Sequence, residues 1–539
     1  MIDKEIEEWN NVLKWLEEKH PGFESNLSLR DLPGLERGMT ASKDLKKGET
    51  LLHIPSTCML NPLTLLPNSL IPSHLFPQSV SRNNPNDSTT PISKKARMEK
   101  GRKLDTTQLL TLHLALTKDS KNRYKSNWKE YIESLPKTFR PWHPLTWVVS
   151  PILTQKENVP QVEWKWFNHL YDIGLSQAAK LKVQDVKKRF DEEYEILVEV
   201  LTEEEPFKSQ NLVESIDKEV ILWAWLNVNT RSISIPLGLP SPSERNNHTL
   251  VPIMDFINHS SNEKIVTPRV KQVPTASSRI RKLSMSTKSN GSKSDIALPS
   301  PPLTTNNGNT TMGLRKADQH LLPNKIDFKL VCQDNGLKKD EEVFFEYGGH
   351  SSSTLFAEYG FCEIPVVPEE DGWLNMKYGE VDLTHYVSEL WENQNEEDKE
   401  EKKQVLEDIG CWGGNTIHCQ PSPVHPSHSL LMTLRLIHLP SNSPKLTNIS
   451  RGLVTYVSPA NENSTMMTLE SILKKVIKDS QKRHKSLKKL VKYPEPENGK
   501  ILTSQQIGII KMLCSMCDEE QILSQSLLER IESGVVDFP

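Results

Sequence analysis

Two short strand-forming segments, far apart in the chain, constrain the fold more than any other feature of the sequence. The first covers residues 34–56 and includes a strand candidate at 50–54, which Pro55 closes. The second covers residues 328–347 and begins with alternating apolar positions at Phe328, Leu330 and Cys332. Because neither segment alone can bury a core, we predict that they pair within one β-rich domain.

Helical patterns fill most of the remaining sequence. Residues 105–230 have mainly helical periodicity, and residues 366–539 are helical with polar loops. The sequence therefore predicts an α+β fold, in which a β-rich domain at 1–365 carries a helical insertion and precedes a mostly α-helical C-terminal domain at 366–539. A first helix is predicted at 4–20, with one apolar face formed by Ile6, Trp9, Val12, Leu13 and Leu16.

Two polar segments interrupt these patterns, at residues 78–104 and 265–323. Both are rich in Ser and in turn-forming residues and poor in large apolar side chains, so we predict insertions without regular structure. The first contains a basic cluster, residues 94–103, which we interpret as a solvated loop. A nuclear localisation signal is the alternative.

Composition excludes several classes of protein. A net charge of −4 over 539 residues gives no overall case for direct nucleic-acid binding. No apolar run reaches the roughly 18 residues of a membrane span, and the acidic amphipathic N-terminus is not a secretory signal. Seven scattered cysteines indicate a reducing compartment, so we expect a cytoplasmic or nuclear protein. The pair Cys514 and Cys517 has no partner pair for zinc, and we expect it on a helix.

Three polar stretches carry the residue types of a binding site: residues 36–41, residues 255–260 at the end of an apolar run, and residues 342–361. Each alone is ambiguous. Gly38 alone would be a turn glycine, for example. Asp255 and His259 would share one face of a helix and could hold a metal, but no third ligand stands at a suitable spacing, so we expect no metal.

In order and combination, these stretches resemble those of the SET-domain protein methyltransferases. The similarity is to the subgroup of the Rubisco large-subunit methyltransferase, in which a helical insertion interrupts the SET domain and a helical substrate-binding domain follows. It covers about residues 1–365 and is carried by RGMTASKDLKKGETLLHIP, WAWLNVNTRSISIP, LVPIMDFINHS and KKDEEVFFEYGGHSSSTLFAEYGF. The chain departs from the subgroup at Ser352, where Asn is common, and at Glu36, where Gly is common.

The resemblance implies S-adenosylmethionine as methyl donor and a protein lysine as acceptor. It assigns the donor's methionine part to the backbone at Arg37, Gly38 and Met39, and its carboxylate to Arg231. It assigns the amino group and adenine to Asn258 and His259, and packing near the adenine to Phe361. Asp255 is grouped with these cofactor residues, with a cap of the turn as its alternative role. Tyr347 and Tyr359 would be the catalytic residues lining the methyl-transfer channel.

The chemistry of these residue types agrees with that assignment. Arginine binds carboxylates in a bidentate manner, and an asparagine amide both donates and accepts hydrogen bonds. Tyrosine hydroxyls can orient a neutral lysine amine without adding a competing charge. Two alternatives remain: a protein-histidine methyltransferase, which the presence of Tyr359 disfavours by comparison with a histidine-modifying relative, and a non-catalytic SET scaffold that binds partners.

The expected partner is a protein that presents a lysine. By analogy with fungal members of the subgroup, this is a non-histone protein such as a ribosomal protein or a translation factor. We expect a monomer that contacts neither a membrane nor, directly, nucleic acid.

Overall fold

The computed structural model describes most of the chain and divides it into two compact units. The first unit comprises residues 1–139 and 189–349, and the second comprises residues 140–188 and 350–539. The described residues are 2–30, 37–77, 103–118, 125–149, 161–235, 237, 247–261, 267–272, 296–297, 326–332, 336–363, 377–440, 443–492, 502–534 and 538. Most of the basic segment 94–103 and all but two short stretches of the insertion 265–323 lie outside them.

The two distant strand-forming segments pair in the first unit, as predicted. Thr50–Ile54 runs antiparallel to Ile326–Val331, with Ile54 opposite Phe328 and Leu52 opposite Leu330. These four side chains are fully buried. The sheet has five strands in the order Glu24–Ser25, Thr50–Ile54, Ile326–Val331, Thr267–Gln272 and Ile296–Ala297.

The prediction that residues 265–323 lack regular structure is wrong for two parts of that segment. Thr267–Gln272 forms six paired positions with Ile326–Val331, and Ile296–Ala297 adds a short strand on its other side. A neighbouring strand supplies the backbone partners here, so pairing overrides a composition that is poor in strand-forming residues.

The helical insertion forms largely as the periodicity predicts. Thr106–Thr117 is buried at every position, and Lys218–Arg231 packs against it. The N-terminal helix is Ile2–Lys19, but its predicted apolar face is partly wrong, because Ile6 is 48% exposed while Trp15 is buried. The other α-helices among the described residues up to 231 are Pro62–Leu65, Lys129–Ser134, Leu145–Val148, Gln161–Gly174, Gln177–Glu203 and Leu212–Ser215.

Short strand pairs position the polar stretches of the first unit. Leu27–Arg30 pairs antiparallel with Gly38–Ala41, and Ile233–Ser234 pairs antiparallel with His248–Thr249. Asn258–His259 pairs in parallel with Phe344–Phe345. Asp255 belongs instead to a single 3-10 turn, Met254–Phe256. Asp255 and His259 therefore do not share one face of a helix. The arrangement in which their spacing would let them hold a metal together is not formed.

The second unit is mostly helical after residue 350, with one small sheet that the sequence did not predict. Its strands are Glu380–Asp382, Thr416–His418 and His425–Pro426, all antiparallel. Cys514 and Cys517 lie on the last helix, as expected. The helices are Ser352–Tyr359, Thr384–Glu392, Glu396–Asp408, His428–Ile437, Lys445–Ser450, Pro459–Lys492 and Ser504–Glu532.

The core of the second unit forms where the two longest of these helices, Pro459–Lys492 and Ser504–Glu532, pack along each other. Leu469, Leu473 and Val476 from the first meet Leu523 and Leu527 from the second in one apolar cluster. The described helices of the chain include none that is both long enough and apolar enough to cross a bilayer.

Candidate active site

The side chain of Asn258 connects the three polar stretches of the first unit. Its Nδ2 donates to the carbonyl oxygen of Arg37 at 3.1 Å and to Oε1 of Glu342 at 2.9 Å. Asn258 itself belongs to the stretch at 255–260. Its amide therefore bonds this stretch both to the stretch at 36–41 and to the stretch at 342–361. An apolar side chain here would leave the carbonyl and the carboxylate without this donor.

Backbone hydrogen bonds hold the same stretches in register. The Val343 N–H donates to the carbonyl of Met39 at 2.8 Å, and the Ala41 N–H donates to the carbonyl of Glu341 at 3.0 Å. Gly38 is a buried residue of a strand and not the turn glycine that its isolated context suggested. Met39 is also fully buried.

His259 and Tyr347 are bonded through the imidazole and the backbone. The Tyr347 N–H donates to Nδ1 of His259 at 3.0 Å, and the two rings lie 5.2 Å apart. Because Nδ1 accepts this bond, its proton is not on that nitrogen. The Tyr347 hydroxyl donates to the carbonyl of Ile257 at 2.7 Å, and burial raises the pKa of this phenol to about 12. Tyr347 therefore stays protonated, and a hydroxyl oxygen can accept a hydrogen bond while its proton is donated.

The side chain of Asp255 is fully buried and bonds both Arg231 and Tyr131. Arg231 Nη1 donates to the Asp255 carbonyl at 2.8 Å and to Oδ2 at 3.2 Å, and the Tyr131 hydroxyl donates to Oδ2 at 3.0 Å. Burial raises the pKa of Asp255, while the charge of Arg231 and both hydrogen bonds oppose that rise. Burial also raises the pKa of Tyr131. The contacts favour the role of Asp255 as a residue that fixes Arg231.

Phe256, the next residue, lies between two cations. The Arg37 guanidinium carbon is 4.6 Å from the ring centroid and that of Arg231 is 5.7 Å from it. Trp9 meets the same ring edge-on at 5.8 Å. The aromatic ring attracts both guanidinium groups and so holds two arginines together despite their repulsion. Burial, and then the neighbouring Arg231, lower the pKa of Arg37.

The backbone before this turn is strained. Ile253 has φ +71° and ψ −44° and is fully buried. Such a conformation is rare for a β-branched residue and persists only where surrounding contacts impose it. It turns the chain so that Asp255 and Phe256 both face the two arginines.

Tyr359 and Phe361 lie in the second unit. Tyr359 ends the helix Ser352–Tyr359, and its ring is 6.0 Å from Phe361 and 6.2 Å from His350. Gly360 ends the helix with φ +83°, and a Cβ there would stand 3.0 Å from the Cα of His143. Only glycine fits this turn, so the packing fixes the orientation of Tyr359. Roles of these residues in catalysis or donor binding remain predictions.

The first-unit site contains charges of both signs around Arg231. Arg37 and Arg231 are the cations, the carboxylates of Asp255, Glu5 and Glu8 act on Arg37, and Glu342 is bonded to Asn258. Within the described part of the chain, Nε of Arg231 is buried without a hydrogen-bond partner, a state that costs free energy. A carboxylate is the acceptor that would satisfy such a guanidinium.

Sequence reasoning missed several residues of this site, namely Trp9, Tyr131, Phe256 and the side chain of Glu342. Trp9 was assigned to a packing face, and Tyr131 lies on a short helix with nothing local to distinguish it. Their partners are distant in the chain, so no spacing rule reveals them. Phe256 stood inside the stretch 255–260 but was given no role of its own.

Comparisons with known proteins agree with this architecture. Residues 393–507 match the family described as Rubisco LSMT substrate-binding. A crystal structure of the SET domain of LSMT, bound to lysine and AdoHcy, superposes with a TM-score of 0.54 at 17% identity and covers 98% of this chain and 92% of that chain. At that identity the likeness establishes the fold.

Relatives identified by sequence are similarly distant. SET domain-containing protein 4 of Mus musculus is 21% identical over 527 residues, which are 96% of this chain and 90% of the relative. Ribosomal lysine N-methyltransferase set11 of Schizosaccharomyces pombe is 23% identical over 56% of this chain and 59% of its own length. Together with the matched C-terminal segment, these similarities support the resemblance of this chain to SET-domain lysine methyltransferases of the Rubisco LSMT-like subgroup.

Proposed function

We propose that this protein is a protein-lysine N-methyltransferase that uses S-adenosylmethionine. The observation that carries the proposal is the arginine pair at Phe256, in which a buried Nε of Arg231 has no acceptor among the described residues. A buried guanidinium nitrogen without an acceptor costs free energy, which a bound carboxylate would recover. The carboxylate of an amino-acid-like donor is the group that fits it.

The other residues of the site match the remaining groups of such a donor. Asn258 uses its Nδ2 within the protein, and its amide oxygen is an acceptor suited to an ammonium group. The family resemblance assigns the methionine part of the donor to the backbone at Gly38 and Met39, which form part of a strand bonded to Val343. S-adenosylmethionine, when bound, supplies an electrophilic methyl group on a sulfonium.

Tyr347 is the residue we assign to the acceptor amine. Its hydroxyl is fixed by the bond to the Ile257 carbonyl, and its raised pKa keeps it neutral. An uncharged hydroxyl can accept a hydrogen bond from an amine without stabilising the ammonium form as strongly as a carboxylate would. A lysine must lose its proton before it attacks, and a desolvated channel favours the neutral amine. We name no general base.

The substrate we propose is a ribosomal protein. The support is the name of the Schizosaccharomyces pombe relative, a ribosomal lysine N-methyltransferase, together with the C-terminal segment that matches a substrate-binding family. We propose that the protein acts in the cytoplasm or the nucleus and as a monomer. Histidine methylation and a non-catalytic scaffold are the competing functions.

Incubation of the full chain with methyl-labelled donor and cell extract tests the activity. Wild type should label a protein band, and Tyr347→Phe should reduce its rate about 100-fold or more, because one preorganised hydroxyl is lost. Tyr456→Phe, at an exposed tyrosine, is the matched control and should keep the wild-type rate.

Three readouts separate the alternatives. Acid hydrolysis of the labelled band should release methyl-lysine, and methyl-histidine would establish the other acceptor. Label in the ribosomal pellet, and not in the supernatant, is expected for a ribosomal substrate. Equal incorporation by wild type and Tyr347→Phe at background level would instead establish a binding scaffold.

A further inference from the structure

Charge is strongly segregated along the helix Pro459–Lys492 of the second unit. Its first fifteen residues, 459–473, contain two glutamates and neither lysine nor arginine. Its last nineteen, 474–492, contain nine lysines and arginines and one aspartate. The whole chain has a net charge of −4, so this segregation does not follow from overall composition.

Five lysines of the basic half form a single stripe, which we call the lysine stripe: Lys478, Lys482, Lys485, Lys489 and Lys492. Their spacing of three or four residues places them on one face of the helix, over a length of about 21 Å. All five are exposed. The opposite face holds Leu473, Val476, Ser480 and Leu487, which are buried, so the core occupies one side of the helix and the stripe the other.

Three other basic residues of this helix have carboxylate partners. Lys474 pairs with Glu532 at 3.3 Å, and Lys475 and Arg483 pair with Glu389 and Glu520. Within the described residues, Lys478, Lys482, Lys485 and Lys489 form no ion pair.

Helix stability does not account for this arrangement. Like charges three and four residues apart destabilise a helix. The helix dipole favours cations only in the last turn, where Lys489 and Lys492 stand, and leaves Lys478, Lys482 and Lys485 unexplained. The stripe therefore costs stability, and an anionic partner would compensate for that cost.

The chemistry of the stripe selects among anionic partners. Protein interfaces are depleted in lysine and depend on aromatic residues and arginine, which the stripe lacks. Helices that bind membrane surfaces carry an apolar face for the lipid, but here that face is buried in the protein core. A phosphate backbone is bound by lysines acting as exposed point charges.

We propose that the lysine stripe binds the phosphate backbone of RNA. The choice of RNA rests on the proposed function, because a ribosomal protein substrate is presented beside ribosomal RNA. No aromatic side chain interrupts the stripe to stack on bases, so binding is independent of sequence. The negative net charge that argued against direct nucleic-acid contact is compatible with this local surface.

Fluorescence anisotropy with a labelled 20-base-pair RNA duplex, over a series of salt concentrations, tests the proposal with the full chain. The variant Lys478→Gln, Lys482→Gln, Lys485→Gln, Lys489→Gln should lose at least about tenfold in affinity and reduce the slope of log Kd against log salt by about 3. Pelleting with salt-washed ribosomes should decrease in parallel. Both measurements are made without methyl donor, so their outcome does not depend on whether the protein is an active methyltransferase.

The control variant changes the net charge equally at other exposed lysines: Lys4→Gln, Lys14→Gln, Lys129→Gln, Lys137→Gln. These side chains are ion-paired and lie outside the stripe, so RNA affinity should stay within about twofold of wild type. Equal losses in the two variants would overturn the proposal, as would unchanged ribosome pelleting of the stripe variant. A polyglutamate peptide that competes as well as RNA at equal charge would assign the stripe to an acidic protein and overturn RNA as the occupant.

Discussion

Arg231 holds Asp255 through a single nitrogen, which donates both to the backbone carbonyl at 2.8 Å and to the carboxylate at 3.2 Å. The carboxylate is completely buried, and the arginine side chain is 16% exposed. Removal of one partner from such a pair leaves the other charge without compensation in a region of low dielectric. The pair therefore contributes both to folding and to the direction in which Arg231 points.

Asp255→Asn should lower the free energy of unfolding by about 3 kcal/mol and weaken donor binding about tenfold or more, because Arg231 loses its orientation. Urea titration and calorimetric donor binding measure the two effects. Asp340→Asn is the control, since Asp340 pairs with Arg30 on the surface at 42% exposure and should cost less than about 1 kcal/mol. Equal losses of unfolding free energy in the two variants would mean that burial of the Arg231–Asp255 pair does not increase its contribution to stability.

Asn258 is predicted to act through its amide hydrogens and not through its shape. Asn258→Asp keeps the size but places a carboxylate 2.9 Å from Glu342 and beside the Arg37 carbonyl. We expect a loss of about 2 kcal/mol in stability and of at least about tenfold in donor affinity. In the double variant with Glu342→Gln, the new amide can donate to the carboxylate at position 258. This should recover about 1 kcal/mol of the unfolding free energy. A double variant no more stable than Asn258→Asp would contradict this bond.

The sequence predicts those parts of the site whose polar residues interrupt an apolar run. Asn258 and His259 stood out in this way, whereas Tyr347 was assigned through the family resemblance. The structure bonds Asn258 to Arg37 and His259 to Tyr347. Trp9 and Tyr131 could not be found, because each looks like a packing residue and its partner lies far away in the chain. Strain at Ile253 was equally invisible, since isoleucine in an apolar run predicts ordinary extended backbone.

For the fold, the pairing of Thr50–Ile54 with Ile326–Val331 was predicted because neither segment alone buries a core, and periodicity predicted the terminal helices of the second unit. It failed at Thr267–Gln272, whose strand depends on a neighbour and not on its own composition. It also failed at Glu380–Asp382, a strand too short for an alternating pattern to be recognised. Both failures arise where tertiary contacts decide a weak local preference.

Gly360 should tolerate no side chain. Its φ of +83° disfavours any other residue, and a Cβ would also meet the Cα of His143 at 3.0 Å and the carbonyl oxygen of Trp142 at 3.1 Å. Gly360→Ala is expected to cost about 2–4 kcal/mol in thermal or urea unfolding. Gly410→Ala, with φ +68° and nothing within 4 Å of its Cβ, isolates the backbone strain and should cost about 1 kcal/mol. Equal losses of stability in the two variants would mean that the close approach to His143 and Trp142 does not contribute.

Glu519 should make stability depend on pH. Its side chain is buried, and Oε2 has no hydrogen-bond partner among the described residues. Burial raises its pKa to about 7 from an ordinary 4.5, against hydrogen bonds from Ser352 and the Glu380 N–H. The folded state therefore binds the proton more tightly than the unfolded state does. The stability that this gives is complete below about pH 4.5 and is lost as the pH rises through about 7.

Glu519→Gln replaces the titrating carboxyl with a neutral amide, so it should remove this loss. Unfolding free energies from urea titrations should agree with wild type near pH 4.5 and exceed it by up to about 3 kcal/mol at pH 8. Glu529→Gln, at an exposed position of the same helix, should leave the wild-type pH dependence intact. Parallel curves for Glu519→Gln and wild type from pH 4.5 to pH 8 would show that Glu519 does not hold its proton in the folded protein.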